Sequence, residues 1–94
     1  MKRGLVVCRT GMGSSMMLRI KLEQVIGENN FPLELEHDVL SAVSNYNVDC
    51  IITMADLVKQ LEDEGKYVIG INDLMNKNEM KEKIEKFFNE NDNL

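Results

Sequence analysis

Four short strand-like runs, each followed by a segment with helical periodicity, constrain the fold of this chain most. The runs lie at 4–7, 33–37, 48–53 and 67–71 and are rich in β-branched or alternating apolar residues. Such a repeat predicts a parallel sheet with helices on both faces, because a helix must return the chain to the start of each next strand. Right-handed crossovers leave few topologies, and we expect the strand order 2-1-3-4. We therefore predict an α/β fold, a three-layer αβα sandwich with a four-stranded parallel sheet and the second strand at an edge.

The helical segments differ in length and in the strength of their patterns. The first is predicted to begin at Ser14 or Ser15 and to end with Gly27 as its C-cap. Short helical stretches are expected at 39–46 and 54–61. The apolar face predicted for the first helix consists of Met17, Leu18, Leu22, Val25 and Ile26.

The last helix has the strongest terminal signal. Asn76 is a suitable N-cap, and Glu79 stands three residues further on, as in a capping box. The stripe expected to face the core consists of Met80, Ile84, Phe87 and Phe88.

Length and cysteine content limit the class of protein. The 94 residues predict a single domain spanning 1–94. With neither a bilayer-length apolar run nor a signal-peptide pattern, we expect a cytoplasmic protein with no membrane insertion. Two cysteines do not form a disulfide framework, and one histidine without clustered cysteines makes a structural zinc site improbable.

Charge is distributed unevenly along the chain. The formal net charge of -5 disfavours nucleic acid as a partner. Residues 1–22 nevertheless contain five basic side chains and no acidic one, so a local positive field there would suit a phosphorylated partner. The alternative is that Lys2 and Arg3 only begin a strand while Arg19 and Lys21 line a solvated helix face.

The segment 8–15, between the first strand and the first helix, has the composition of an anion site. Cys8 ends the strand, a loop with two glycines follows, and a helix N-terminus offers unpaired amides and the positive end of its dipole. A thiol at this position should have a lowered pKa, because the dipole favours the thiolate. The alternatives to an anion site are that Cys8 is a small core residue and that the two glycines only form a tight turn between strand and helix. Cys50 lies inside an apolar run and is predicted to be a core residue.

Known phosphate motifs with similar composition do not match. No lysine follows Gly13, as a P-loop requires, and the third glycine of a dinucleotide fingerprint is missing. A Cys-x5-Arg phosphatase loop needs an arginine where this chain has Ser14. The topology independently selects the same region, since ligands bind at the switch point between strands one and three, where we expect Cys8 next to Thr53.

The octapeptide CRTGMGSS at 8–15, ending the first strand of a four-βα chain, resembles the IIB component of the phosphoenolpyruvate-dependent sugar phosphotransferase system. It looks most like the ascorbate/galactitol-type branch, with a lactose/cellobiose-like fold. The resemblance implies that Cys8 accepts a phosphoryl group from a phosphohistidine on a IIA protein and passes it to a sugar or polyol bound by the membrane IIC component. The phosphate-binding residues would be Arg9, Thr10, Gly11, Met12, Gly13, Ser14 and Ser15.

Amides, hydroxyls and Arg9 can neutralise the phosphoryl charge, so no metal or cofactor is required. Met12, Met16 and Met17 either pack the helix or form an adaptable apolar rim for docking, and we favour docking. His37 is interpreted as a surface residue. Two other functions stay open at this point. One is a cysteine phosphatase of the low-molecular-weight type, and the other is a non-catalytic regulatory module that senses phosphorylation.

Overall fold

The elements alternate along the chain as the sequence predicts. The computed structural model describes residues 2–8, 13–62 and 65–91, with residues 8, 13–15 and 91 described by their backbone alone. In chain order the elements are β1 (Lys2–Cys8), α1 (Gly13–Asn29), β2 (Leu33–Val39), a first 3-10 helix (Leu40–Asn45), β3 (Cys50–Met54), a second 3-10 helix (Ala55–Leu57), α2 (Val58–Glu62), β4 (Tyr67–Ile71) and α3 (Lys77–Asn91).

The four strands form one sheet in the order β2-β1-β3-β4. Each neighbouring pair is parallel, which confirms the predicted α/β topology. The alternating strand β2 lies at one edge, as expected from its polar residues, and β4 lies at the other.

Each face of the sheet has its own apolar core. On β1, Val6 belongs to the larger cluster, which α1 and α3 cover, whereas Leu5 and Val7 belong to a smaller cluster on the opposite face. The two 3-10 helices and α2 supply Val43, Leu57 and Leu61 to that smaller cluster. The alternation follows from the two-residue period of a strand. The helices therefore cover both faces of the sheet, as predicted.

The predicted face and C-cap of α1 were partly wrong. Leu18, Leu22 and Val25 are buried, but Met17 is 43% exposed because it lies beside that stripe on the helix surface. The helix continues past Gly27 to Asn29, and Asn30 takes the positive φ of 55° at its end. The amide of Phe31 donates to the carbonyl of Ile26 over 3.1 Å, as in a Schellman ending.

The helical segments at 39–46 and 54–61 are shorter and tighter than an ordinary α-helix. The first is entirely 3-10, and the second begins as 3-10 and continues as the five-residue α2. Met54, predicted to be helical, instead ends β3, because it is paired with Ile71 on β4.

The N-terminus of α3 agrees with its sequence signal. The Asn76 side-chain oxygen accepts from the Glu79 amide over 3.0 Å, as predicted for a cap. The Glu79 carboxylate reaches further back than a capping box would, and accepts from the amides of Asn72 (2.9 Å) and Asp73 (3.0 Å). All four residues of the predicted apolar stripe are buried.

Candidate functional site

Cys8 is the last residue of β1, at the carboxyl edge of the sheet. Pairing between β1 and β2 extends to Cys8–Val39, whereas registered pairing between β1 and β3 ends at Val6–Ile52. The chain order reverses between β1 and β3, since β2 lies on one side of β1 and β3 on the other. The Cys8 backbone therefore lies at the topological switch point, where α/β sheets bind ligands.

The helix that follows Cys8 begins at Gly13, slightly earlier than predicted. Ser14 and Ser15 belong to its first turn, and that turn contains no acidic residue. Its unpaired amides and dipole can therefore stabilise an anion without competition from a carboxylate of the same turn. The other predicted phosphate-binding residues, Arg9, Thr10, Gly11 and Met12, lie outside the described residues. The site itself thus stays a prediction.

Thr53 lies close to the position predicted for it, but one residue away. It follows Ile52, the partner of Val6, and is therefore level with Val7 rather than with Cys8. Its side chain is fully buried, and its hydroxyl donates to the Val7 carbonyl over 3.0 Å. The bond reaches the peptide group that joins Val7 to Cys8. The predicted strand order brought Thr53 to the region of Cys8, but no local pattern in the sequence indicates this hydrogen bond.

Cys50 is a core residue, as predicted. Its side chain is fully buried between the sheet and the helices on the larger-cluster face. Burial raises the pKa of the Cys50 thiol to about 12, and the nearby charge of Asp49 acts in the same direction. A thiol with this pKa stays protonated at neutral pH and is a poor nucleophile.

Two of the basic residues near the N-terminus lie far from Cys8. Lys2 and Arg3 begin β1, so they lie at the amino edge of the sheet, away from Cys8. Arg3 forms an ion pair with Glu36 on β2 over 2.5 Å, and its amide donates to the Asp49 carboxylate. The interpretation in which Lys2 and Arg3 only begin a strand is the one that agrees with these contacts.

Three large apolar side chains are exposed on the first turns of α1. Met16 is 39% exposed, and Met17 and Ile20 are each 43% exposed. They are spaced at i, i+1 and i+4, so they form one continuous patch on the helix surface. We call Met16, Met17 and Ile20 the apolar patch. It lies within two turns of the helix N-terminus that follows Cys8.

His37 and Asp38 lie near the carboxyl end of β2. His37 is half-buried on the edge strand β2, and burial lowers the pKa of its imidazole, with Arg19 adding to the effect and Asp38 opposing it. The Tyr46 hydroxyl donates to Asp38 over 2.5 Å and lowers the pKa of that carboxyl, as does the amide of Val39. Sequence reasoning missed this pair, since no local pattern links residues eight apart across a 3-10 helix.

Comparison with known proteins agrees with this architecture. Residues 3–86 match the family described as PTS system, Lactose/Cellobiose specific IIB subunit. An ascorbate-specific PTS system EIIB component of Shigella sonnei is 34% identical over 80 residues, covering 78% of this chain and 75% of that protein. Proteins of the same name are 32% identical in Salmonella typhimurium, with the same coverage, and 27% identical in Mycoplasma pneumoniae, covering 87% of this chain and 90% of the relative.

The fold and the matches define the class of this protein: a small α/β phosphotransferase domain with its switch point at the end of the first strand. The chain belongs to the IIB family of the sugar phosphotransferase system, and it is a phosphoryl carrier of that system. IIB components act together with IIA and IIC components. The phosphatase and the regulatory module receive no support from these matches. None of the helices within the described ranges is long and apolar enough to span a membrane.

Proposed function

We propose that Cys8 is the residue of this carrier that takes up the phosphoryl group. The observation that carries the proposal is its position as the last residue of β1 at the switch point, five residues before the N-terminus of α1. The second cysteine, Cys50, supports it by contrast, because it is fully buried and has a pKa of about 12. The whole chain, residues 1–94, acts as one IIB domain.

The segment from Arg9 to Ser15 forms the phosphate cradle in this proposal. Gly13, Ser14 and Ser15 begin α1, whose first turn has no acidic side chain. Main-chain amides at such a helix end bind a dianionic group by hydrogen bonds and by the dipole. An arginine in a phosphatase loop activates hydrolysis, and Ser14 occupies that place here. The carrier can thus hold the thiophosphate without strongly promoting its loss to water.

The transfer takes place in two steps that return the thiol to its starting state. The Cys8 thiolate attacks the phosphorus of a phosphohistidine on the IIA protein, so an S–P bond forms, the N–P bond breaks and the released imidazole takes up a proton. A hydroxyl of the sugar bound to IIC then attacks the same phosphorus. The S–P bond breaks, the hydroxyl loses its proton, and the thiolate leaves, which a low thiol pKa favours.

The IIA donor is the partner proposed to cover the apolar patch. Direct transfer requires the donor to approach the N-terminus of α1, and Met16, Met17 and Ile20 present exposed apolar surface on the first turns of that helix. Methionine side chains adapt to different partners, which suits a carrier that must release one protein and contact another. Both exchanges belong to the cytoplasm, where the IIA protein and the inner face of IIC meet.

A sugar or polyol of the ascorbate/galactitol type is the proposed cargo. The support is that the relatives at 27–34% identity are named as ascorbate-specific components. The sugar is held by the IIC component, so transfer assays with membranes containing a candidate IIC and labelled ascorbate or galactitol test this part separately.

Mass measurement of the phosphorylated protein tests the proposed thiol. We expect Cys8→Ser to abolish uptake of a phosphoryl group from phosphorylated IIA, because a serine hydroxyl stays protonated and is a weak nucleophile. Cys50→Ser is the matched control and should retain uptake, although the buried hydroxyl lowers stability. Phosphate found on Cys50, or uptake unchanged in Cys8→Ser, would contradict the proposal.

A further inference from the structure

Thr53 is the only polar side chain among the fully buried core residues that the structure describes. It lies on β3 in a run that is otherwise apolar, next to Ile51 and Ile52, which are both fully buried. Burying a hydroxyl costs free energy unless it finds a hydrogen-bond partner. A valine of nearly the same shape would avoid that cost, so the hydroxyl at this position needs an explanation.

The hydroxyl acts where the β1–β3 pairing ends. Registered pairs extend from Gly4–Cys50 to Val6–Ile52, and the Thr53 hydroxyl donates to the Val7 carbonyl at the next position. On the other side of β3, pairing with β4 continues to Met54–Ile71. A side chain therefore joins β1 to β3 at the level where the pairs end, and it does so at the switch point.

We propose that Thr53 is a positioning residue for phosphoryl transfer: its hydroxyl fixes the Val7–Cys8 peptide group and so the attacking direction of the Cys8 thiol. This inference rests on the proposed role of Cys8. This hydrogen bond, 3.0 Å long and from a fully buried donor, restrains the plane of the Val7–Cys8 peptide group, and that plane contains the Cys8 Cα atom from which the thiol extends. Small displacements of a nucleophile from its reacting geometry reduce rates strongly, on the order of a hundredfold for 1 Å.

Two comparisons separate the effect of the hydroxyl from the effect of side-chain size. The first compares the parent threonine with Thr53→Val, which removes the hydroxyl and keeps the shape. The second compares Thr53→Ser with Thr53→Ala, both of which lack the methyl group and differ only in the hydroxyl; it keeps the test valid even if Thr53→Val folds poorly. Leu33→Ala is the control for lost stability, because Leu33 is buried in the larger cluster and is paired with Lys2 at the amino edge of the sheet, away from Cys8.

The measurements are the maximal rate of transfer from phosphorylated IIA, the donor KM and the pH dependence of Cys8 alkylation. We expect Thr53→Val and Thr53→Ala to lower the maximal rate about tenfold or more, with donor KM within about twofold of the parent value. Thr53→Ser should recover most of the rate although it is less stable than the parent. Cys50 does not disturb the alkylation profile near neutral pH, because its pKa is about 12.

The inference is overturned if the maximal transfer rates of the Thr53 variants follow only their stabilities. Thr53→Val with the parent rate, or Thr53→Ser as slow as Thr53→Ala, shows that the hydroxyl does not position the thiol. If the unchanged protein takes no phosphate on Cys8, the proposed function fails instead. The two failures are therefore distinguishable.

Discussion

Glu79, in the first turn of α3, makes contacts that reach back into the β4–α3 connection. Its carboxylate accepts hydrogen bonds from the Asn72 amide and side chain, from the Asp73 amide and from Lys83 over 2.8 Å. The Lys83 ammonium group also donates to the carbonyl of Gly70 on β4. Burial acts to raise the pKa of Glu79, but the hydrogen bonds from Lys83, Asn72 and Asp73 outweigh it and lower the pKa to about 2. Glu79 thus links the β4–α3 connection to the first turn of α3 by hydrogen bonds.

Replacing Glu79 by glutamine should lower stability in a pH-dependent way. The pKa of a glutamate in the unfolded chain is 4.5, and that of Glu79 in the folded protein is lowered to about 2, so the folded state favours the charged form. The stabilisation is therefore complete above about pH 4.5 and is lost as the pH falls towards about 2. We expect Glu79→Gln to lower the free energy of urea unfolding by about 2 kcal/mol at neutral pH, with the difference shrinking in acid.

The control for Glu79→Gln is Glu82→Gln on the same helix, since Glu82 is exposed. That variant should unfold within about 0.5 kcal/mol of the parent protein. A constant difference between Glu79→Gln and the parent protein from neutral pH down to pH 3 would contradict the assigned role of the carboxylate.

At the scale of elements, β4 and α2 approach each other through a glycine. A Cβ built on Gly70 would collide with the Val58 Cγ2 atom and would lie 3.4 Å from the Ala55 Cα atom. The absence of a side chain on Gly70 lets the second 3-10 helix and α2 pack directly on β4. The sequence predicted strand 67–71 with its observed bounds, but no local pattern distinguished this glycine from any other in a strand.

Gly70→Ala should therefore destabilise the protein, by about 1–3 kcal/mol, because α2 must move to accept the methyl group. Adding Val58→Ala removes the colliding atom, so the double variant should lose less than the sum of the two single losses. Thermal and urea unfolding measure both effects.

Gly27→Ala provides the opposite case on α1. Gly27 lies inside the helix, and no heavy atom would come within 4 Å of an added Cβ. Alanine is the better helix former by about 1 kcal/mol, so this variant should be more stable than the parent. If Gly27→Ala and Gly70→Ala changed the free energy of unfolding in the same direction, the contact with Val58 would not be what decides the effect of Gly70→Ala.

The sequence predicts the strand order and the core face of the last helix better than it predicts helix ends and side-chain hydrogen bonds, and the reason is physical. Strand order and the α3 stripe follow from periodicity and from the handedness of crossovers, which are properties of the chain itself. The end of α1 was set by Asn30, because a positive φ there allows the Phe31 amide to reach back to Ile26. The Thr53–Val7 and Tyr46–Asp38 hydrogen bonds depend on register and on a 3-10 turn, so no local pattern in the sequence predicts them.

In the whole molecule, the two ends of the parallel strands, the amino edge and the carboxyl edge of the sheet, differ in their contacts. The amino edge is closed by local contacts, since Arg3 binds Glu36 and Asp49 and the Lys2 amide donates to the Pro32 carbonyl. The carboxyl edge holds Cys8, the N-terminus of α1 and, beside it, the apolar patch. A carrier that meets two proteins in turn benefits from this separation, because binding and release need not disturb the contacts that close the other edge.

The apolar patch should therefore determine how well the donor binds and not how fast the chemistry proceeds. We expect Ile20→Asp to raise the KM for phosphorylated IIA about tenfold, because a carboxylate in an apolar contact must be desolvated, while the maximal rate stays within about threefold. Gln24→Asp is the matched control, since Gln24 is exposed one turn further along the same helix and lies farther from the N-terminus of α1. Equal increases in KM for both variants would indicate general charge repulsion, and an unchanged KM for Ile20→Asp would remove the patch from the donor interface.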